Sequence, residues 1–308
     1  MFGKILPVLL LGASMLGGCN DLENQSVEIA NPAIDAVRRL SNGVEMPLLG
    51  FGTWQMTGEA GYQGFMTAIA AGYRHIDTAA VYRNEVEVGR AIRDSGIPRS
   101  EFFIVSKVEI QAKSYDAAMA SFEQTLADLG TDYVDQYLIH WPVTRNFLRR
   151  MSGDIYHAEN REVWRALEDI YIAGRARSIG VSNFSINDLR NIMEVARIMP
   201  HANQVKYHIG HTPNDLKRFG ERHGIALVGY STLGRGRVLQ SPTVQMIAAR
   251  NGVTPAQLSI RYSLQRGVIP LVKSANAGRQ LENIAVDFII PESDMRILDE
   301  MEIPTDNW

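Results

Sequence analysis

Cysteine is almost missing from this chain of 308 residues: Cys19 is the only one, so no internal disulfide can form and the fold must be held by its core. A dominant charge is missing too. Lys and Arg number 31 against 34 Asp and Glu, a formal charge of −3 with an isoelectric point near 6.2, and no long basic run occurs. That removes the field that draws proteins to nucleic acid. Nor is there an uncharged run of the roughly 20 residues that span a bilayer as a helix. No Gly-rich turn follows the first predicted strand, as an open dinucleotide-binding sheet would require. What is present is ordinary: 45% hydrophobic and 21% charged residues, enough chain for one large buried core.

The first residues, MFGKILPVLLLGASMLGGC, carry one basic residue, Lys4, and then an uncharged run from Ile5 to Gly18 that is too short to span a membrane. This is the layout of a secretory leader. Leu16-Gly17-Gly18-Cys19 resembles the lipobox of bacterial lipoproteins, which implies cleavage before Cys19 and lipid on that cysteine. Residues 1–18 are then a signal peptide, 19–35 a polar, aperiodic tether, and 36–308 a single domain. The expected location is the cell envelope, anchored through Cys19 and facing the periplasm; initiation at Met15 would instead make the protein cytoplasmic. No twin-Arg precedes the apolar run to signal export of a folded protein.

From Ala36 onward the pattern is regular. Asn42-Gly43 between two short runs predicts a β-hairpin. Strands are expected at 47–53, 74–78, 102–108, 134–140, 177–182, 202–207, 225–231 and 268–273, with helices at 61–71, 84–95, 114–129, 159–173, 186–197, 213–223, 254–265 and 278–286. A final helix is expected at 293–301. Asn84 with Glu87 reads as a capping box, Gly130 and Gly174 as left-handed helix ends, and Thr254-Pro255 as a cap followed by a first-turn proline. Strict alternation predicts an α/β fold, a (β/α)8 TIM barrel with the hairpin plugging its bottom; a doubly wound open sheet is the rival.

In such a barrel the C-terminal strand ends build the site. Asp77, Lys107 and His140 end the second, third and fourth predicted strands, and Tyr82 sits in the bend above the second. Singly, each has a bland reading: a helix cap, a solvated lysine, a hydrogen-bonding histidine, a half-buried tyrosine. Together they suit protonation of a developing alkoxide: the phenol donates, an ammonium lowers its pKa, a carboxylate holds the ammonium, and the imidazole positions a carbonyl. An alkoxide forms when hydride adds to a carbonyl, and no side chain supplies hydride, so a nucleotide site is expected on the other strands. Ser182, Asn183 and Gln204 are placed for a carboxamide, Tyr230 for a flat ring, and Ser231, Leu233 and Gly234 for a pyrophosphate loop. Lys273, Ser274 and Arg279 suit a phosphate monoester, with Glu282 and Asn283 following on one helical face.

The segments GYRHIDTAAVYRNEVEVG, DYVDQYLIHWP, SIGVSNF, NQVKYH and IPLVKSANAGRQLEN resemble, in order, signatures of the aldo-keto reductases, over essentially all of residues 36–303. The resemblance implies that Asp77, Tyr82, Lys107 and His140 are the catalytic tetrad, with Tyr82 as proton donor. It implies that Ser182, Asn183, Gln204 and Tyr230 hold nicotinamide, and that Gly52 and Thr53 are further cofactor contacts. Lys273, Ser274 and Arg279 would recognise a 2′-phosphate, hence NADPH, while Trp54 and Trp141 would wall the substrate pocket; the alternative for Trp54 is rim packing. The likeness is to the bacterial diketogluconate and methylglyoxal reductase branch. Thr232 stands where the family usually has proline, which is expected to loosen the pyrophosphate loop; Lys206 replaces an acidic residue and Ile209 a proline. The short C-terminus implies an open pocket for small aldehydes and ketones, and Arg145, Arg149 and Arg150 offer a basic loop for anionic ones or merely a solvated surface.

Three rivals stand beside this reading: a lyase using Lys107 as a Schiff base, a non-catalytic nucleotide-sensing subunit, and a metal hydrolase. The last has only His208, His211 and the nearby His201, without an acidic partner at ligand spacing. The expected partners are a small carbonyl compound and, through Cys19, a membrane, with the chain acting as a monomer; no metal is expected.

Overall fold

The computed structural model describes residues 33–144 and 156–303. The hairpin pairs β1 (Val37–Arg39) with β2 (Glu45–Pro47) around Asn42-Gly43, where Gly43 takes φ 86°. Eight short strands follow: β3 (Gly50–Gly52), β4 (His75–Asp77), β5 (Phe103–Lys107), β6 (Val134–Ile139), β7 (Ala176–Ser182), β8 (Ala202–Lys206), β9 (Ala226–Tyr230) and β10 (Ile269–Val272). Each pairs in parallel with the next and β10 closes on β3, giving a closed eight-stranded barrel and not an open sheet.

The covering helices are α1 (Gly58–Ala70), α2 (Glu85–Asp94), α3 (Tyr115–Leu129), α4 (His157–Ile172), α5 (Ile186–Met193), α6 (Asn214–Arg222), α7 (Pro242–Arg250), α8 (Pro255–Gln265), α9 (Ala277–Ile284) and α10 (Glu292–Asp299), one-turn helices being left unlabelled. Because helices cover one strand face and interior side chains the other, β5 and β6 are buried at every position. The outward strand faces and the helices pack in two clusters, and in the larger Phe122 and Trp164 are fully buried. Truncating either to Ala costs about 3–5 kcal/mol by the usual penalty for a large core cavity.

The hairpin lies under the barrel. Leu40 and Met46 pack against interior residues including Phe103, Leu138, Val228 and Ile269. Its edges are tied to early strand positions, Arg38 Nη1 donating to the Gly267 carbonyl at 2.7 Å and Asn42 Nδ2 to that of Arg177 at 2.9 Å. With the bottom stoppered, only the C-terminal rim is left for a site.

Local chemistry explains most boundaries. Gly130 and Gly174 both have left-handed backbone at helix ends, and Thr254 and Gln257 form a reciprocal capping box around Pro255. Four expectations need correction. Asn84 does not cap α2: its side chain accepts from the Thr78 hydroxyl and donates to the carbonyls of Thr53 and Met56, joining two rim loops, while Glu87 accepts from the backbone of Gly58. The helix expected at 186–197 stops at Met193, because the buried Glu168 carboxylate takes the N–H groups of Arg197 and Ile198 at 2.5 and 2.8 Å. Helix α7 had no counterpart in the expected elements, although Ser241-Pro242 repeats the cap-and-proline signature. Finally, the last positions of the expected 19–35 tether belong to the fold: Ala33 is fully buried and its N–H donates to Asp287 Oδ1.

Candidate active site

The ends of β4 and β5 carry Asp77 and Lys107, and His140 follows β6 directly. All three are buried. Lys107 Nζ lies 2.9 Å from both Asp77 oxygens and donates also to the Thr78 carbonyl at 2.8 Å, which commits all three ammonium protons. Gln204 Nε2 donates to Asp77 Oδ1 at 2.6 Å. Tyr82 closes a one-turn helix, Ala80–Tyr82, after β4, with Arg83 in left-handed backbone just beyond. The phenol ring is 5.0 Å from Lys107 Nζ and 5.7 Å from the His140 ring, edge to face. The four residues expected to meet do meet.

The pKa of the phenol shifts in the opposite direction to the one expected. Burial first, and then the Asp77 carboxylate, hold the Tyr82 pKa well above the usual tyrosine range. The ammonium was expected to lower it, but Lys107 is already compensated by Asp77. Burial also lowers the Lys107 pKa, with Asp77 resisting. The result is a phenol that keeps its proton at neutral pH.

On the other side of the rim, Asn183, in left-handed backbone, donates to the His140 carbonyl at 3.1 Å and accepts from the Tyr230 hydroxyl at 2.7 Å. Ser182 Oγ donates to the Gln204 carbonyl at 2.9 Å. These contacts join the ends of β6, β7, β8 and β9. Burial pushes the Tyr230 pKa up to about 12. Gly52 pairs in register with Asp77, and buried Thr53 donates to the Asp77 carbonyl through both its N–H and its hydroxyl.

The 231–236 loop turns through left-handed backbone at Ser231, Gly234, Arg235 and Gly236, with Leu233 partly buried against the core. Thr232 does not loosen it. Its buried hydroxyl engages the carbonyls of Gly229 and Leu271 at 3.2 and 3.0 Å, pinning the loop to β9 and β10.

Lys273 and Arg279 are exposed, and among the described residues neither has an ion-pair partner; Ser274, next to Lys273 in the chain, holds a tight turn through bonds of its Oγ to the Asn276 N–H and carbonyl. Asn276 caps α9, its Oδ1 accepting from the Arg279 N–H at 3.0 Å. Glu282 accepts from the Thr254 hydroxyl at 2.6 Å, and Asn283 is buried. Trp54 is 40% exposed at the rim with the Arg235 guanidinium 5.2 Å over its ring. Trp141 is partly buried. Cys19, Arg145, Arg149 and Arg150 lie outside the described residues.

No group of three or more His, Cys, Asp or Glu placed to hold a metal occurs among the described residues. The His208 and His211 rings lie tilted with centroids 5.5 Å apart on an isolated bridge, whereas His201 Nδ1 sits at the Ile179 backbone. Asn84 went unrecognised as a site-building residue, because a cap and a loop tie share the same local sequence.

The profile of the Aldo/keto reductase family matches residues 48–303, and the chain belongs to that family. It is 40% identical over 274 residues to an uncharacterized oxidoreductase, YtbE, of Bacillus subtilis, covering 87% of this chain and 93% of the relative. A glyoxal reductase of the same organism is 38% identical over 265 residues, with 85% and 91% covered. Among solved structures, an aldo/keto reductase from Brucella melitensis superposes with a TM-score of 0.80 at 34% identity, over 86% of this chain and 98% of that one. The protein is an oxidoreductase of the carbonyl-reducing class.

Proposed function

We propose that this chain reduces small aldehydes and ketones to alcohols with NADPH, Tyr82 donating the proton. The observation that carries the reading is the contact of half-buried Tyr82 with buried Lys107, Asp77 and His140: a protonated phenol, its ring 5.0 Å from an ammonium that a carboxylate holds from below. As negative charge grows on a substrate oxygen placed between Tyr82 and His140, the phenolic proton passes to it and the phenolate left behind faces Lys107. The Asp77 contact keeps that ammonium aimed. Substrates of the glyoxal type fit the reading, given the glyoxal reductase among the relatives.

The residues present fit a phosphorylated dinucleotide. Two exposed cations without ion pairs among the described residues occur near a helix start, the donors a phosphate monoester takes, and Lys273, Ser274 and Arg279 would hold the 2′-phosphate of NADPH. Ser182, Asn183, Gln204 and Tyr230 would orient the nicotinamide, and Gly52, Thr53 and the 231–236 loop would line its path. When bound, that group supplies the hydride. A Schiff-base role for Lys107 is disfavoured, since each of its protons is committed and the side chain is fully buried.

Following NADPH absorbance with methylglyoxal tests the reading. Turnover by the native chain that is lost in Tyr82→Phe is expected; unchanged turnover in that variant would overturn the assignment. We further propose anchoring at the envelope through Cys19. Intact mass from the native host should show a chain starting at Cys19 with added acyl groups, and an unmodified start at Met1 or Met15 would refute it.

A further inference from the structure

Just past β6, three successive backbone carbonyls are each claimed by a side chain from a different part of the barrel. That of His140 accepts from Asn183 Nδ2 at 3.1 Å, that of Trp141 from Lys113 Nζ at 2.6 Å, and that of Pro142 from Asn160 Nδ2 at 2.9 Å. Asn160, fully buried on α4, is shared: its Oδ1 accepts a second bond from Lys113 at 2.8 Å. The far end of the segment is closed by a 2.6 Å contact between the hydroxyls of Thr144 and Tyr156. Connections at a barrel mouth usually leave such carbonyls to water. In this barrel the backbone that carries His140 and Trp141 is fastened at every step.

We propose that Lys113 is a positioning residue for carbonyl reduction: by gripping the Trp141 carbonyl it fixes where the His140 imidazole and the Trp141 indole stand against a substrate. The inference rests on the reductase reading and deepens it, because it assigns substrate alignment to a lysine in the 108–114 connection, outside the tetrad and the nucleotide-binding residues. Asn183 and Asn160 are neutral, so Lys113 is the one charged donor among the three. Both of its acceptors are neutral as well. The acidic groups facing it, Glu159 on α4 and Asp188 on α5, act at longer range, and Asp188 is itself 3.6 Å from the His157 imidazole.

A half-buried ammonium with neutral acceptors is costly, and its desolvation lowers the Lys113 pKa to about 7 against the pull of those two carboxylates. The charged form therefore prevails below about pH 7 and the amine above it. An amine keeps donors but loses the added strength of a charged one, so the grip slackens as pH rises through that value.

Two variants test this, Lys113→Met, which removes the donor and keeps the stem, and Lys113→Gln, which restores a neutral donor. Lys113→Met is expected to raise KM for methylglyoxal about tenfold, the effect of one charge-assisted hydrogen bond, with kcat and NADPH affinity held within about twofold. Lys113→Gln recovers most of the loss. In the native chain KM rises across pH 6 to 8, and neither variant shows that rise. A second readout needs no turnover: the part of tryptophan emission that Trp141→Phe removes titrates near pH 7 in the native chain and not in Lys113→Met.

Unchanged KM together with a persisting emission titration in Lys113→Met would overturn the proposal. So would a parallel decline of KM, kcat, NADPH affinity and melting temperature, which marks a merely structural role. A native chain that shows the emission titration but reduces no carbonyl would refute the reductase reading, and the catalytic half of this proposal with it, while upholding the grip on Trp141.

Discussion

The two halves of the rim are built in opposite ways. At the ends of β4, β5 and β6, Asp77, Lys107 and His140 are shielded from water, and the Asp77–Lys107 pair is also bonded to Thr78 and Gln204. Past the end of β10, Lys273 and Arg279 stand in water without an ion pair among the described residues. A proton is transferred only over hydrogen-bond distances, and its donor gains from a dry, fixed setting whose charges are not screened. A phosphate arriving from solution is caught better by cations that reach into it and are not already neutralised. The buried half invests in geometry, and the open half in availability.

The sharpest way to break this contrast is Tyr82→Phe. With Tyr82 as the proton donor, the substitution lowers kcat by about 10²–10⁴-fold, the usual span for a general acid, and leaves NADPH affinity as it was. Because burial and Asp77 raise the Tyr82 pKa, the native donor stays protonated, and the alkaline limb that it sets lies above the usual tyrosine range near 10; a Tyr82-dependent limb near neutrality would contradict the buried picture.

Next in size is Asp77→Asn, which leaves Lys107 buried without its counter-charge. A stability loss of about 3–5 kcal/mol in chemical denaturation is expected, as for other broken buried pairs. Arg279→Ala should behave in the opposite way: KM for NADPH rises about 10–100-fold, as for one lost charged phosphate contact, while KM for NADH and the melting temperature stay put. Added salt should weaken NADPH binding in the native chain more than in the variant. If Arg279→Ala destabilises the fold as Asp77→Asn does, the two halves are not built differently. The smallest effect belongs to Thr232→Val, which deletes the hydroxyl whose one proton is shared between two carbonyls at the root of the 231–236 loop and should cost about 1–2 kcal/mol in denaturant titration.

The alternation that gives the barrel was legible, since apolar runs and capping residues act within a few positions of each other. Strand ends were read to within one or two residues for most strands, and Asp77, Lys107 and His140 were legible because each closes a strand or directly follows one. Helix α5 and Asn84 were not. The end of α5 is set by Glu168, which holds the N–H of Arg197 across 29 positions, and Asn84 is recruited by Thr53, 31 residues away. Neither partner is visible to a reading of local pattern.

By itself the sequence determined the kind and order of the elements, and which strand end bears which chemical group, because periodicity and capping are short-range properties of the chain. Closure of the barrel decided the rest. It brought Gln204 to Asp77 across 127 positions, set Lys113 on Trp141, and turned the Tyr82 pKa upward where the linear order of charges suggested a fall. Hydrogen bonds form only at about 3 Å, and desolvation depends on everything packed around a group. Both quantities are fixed only when distant segments meet.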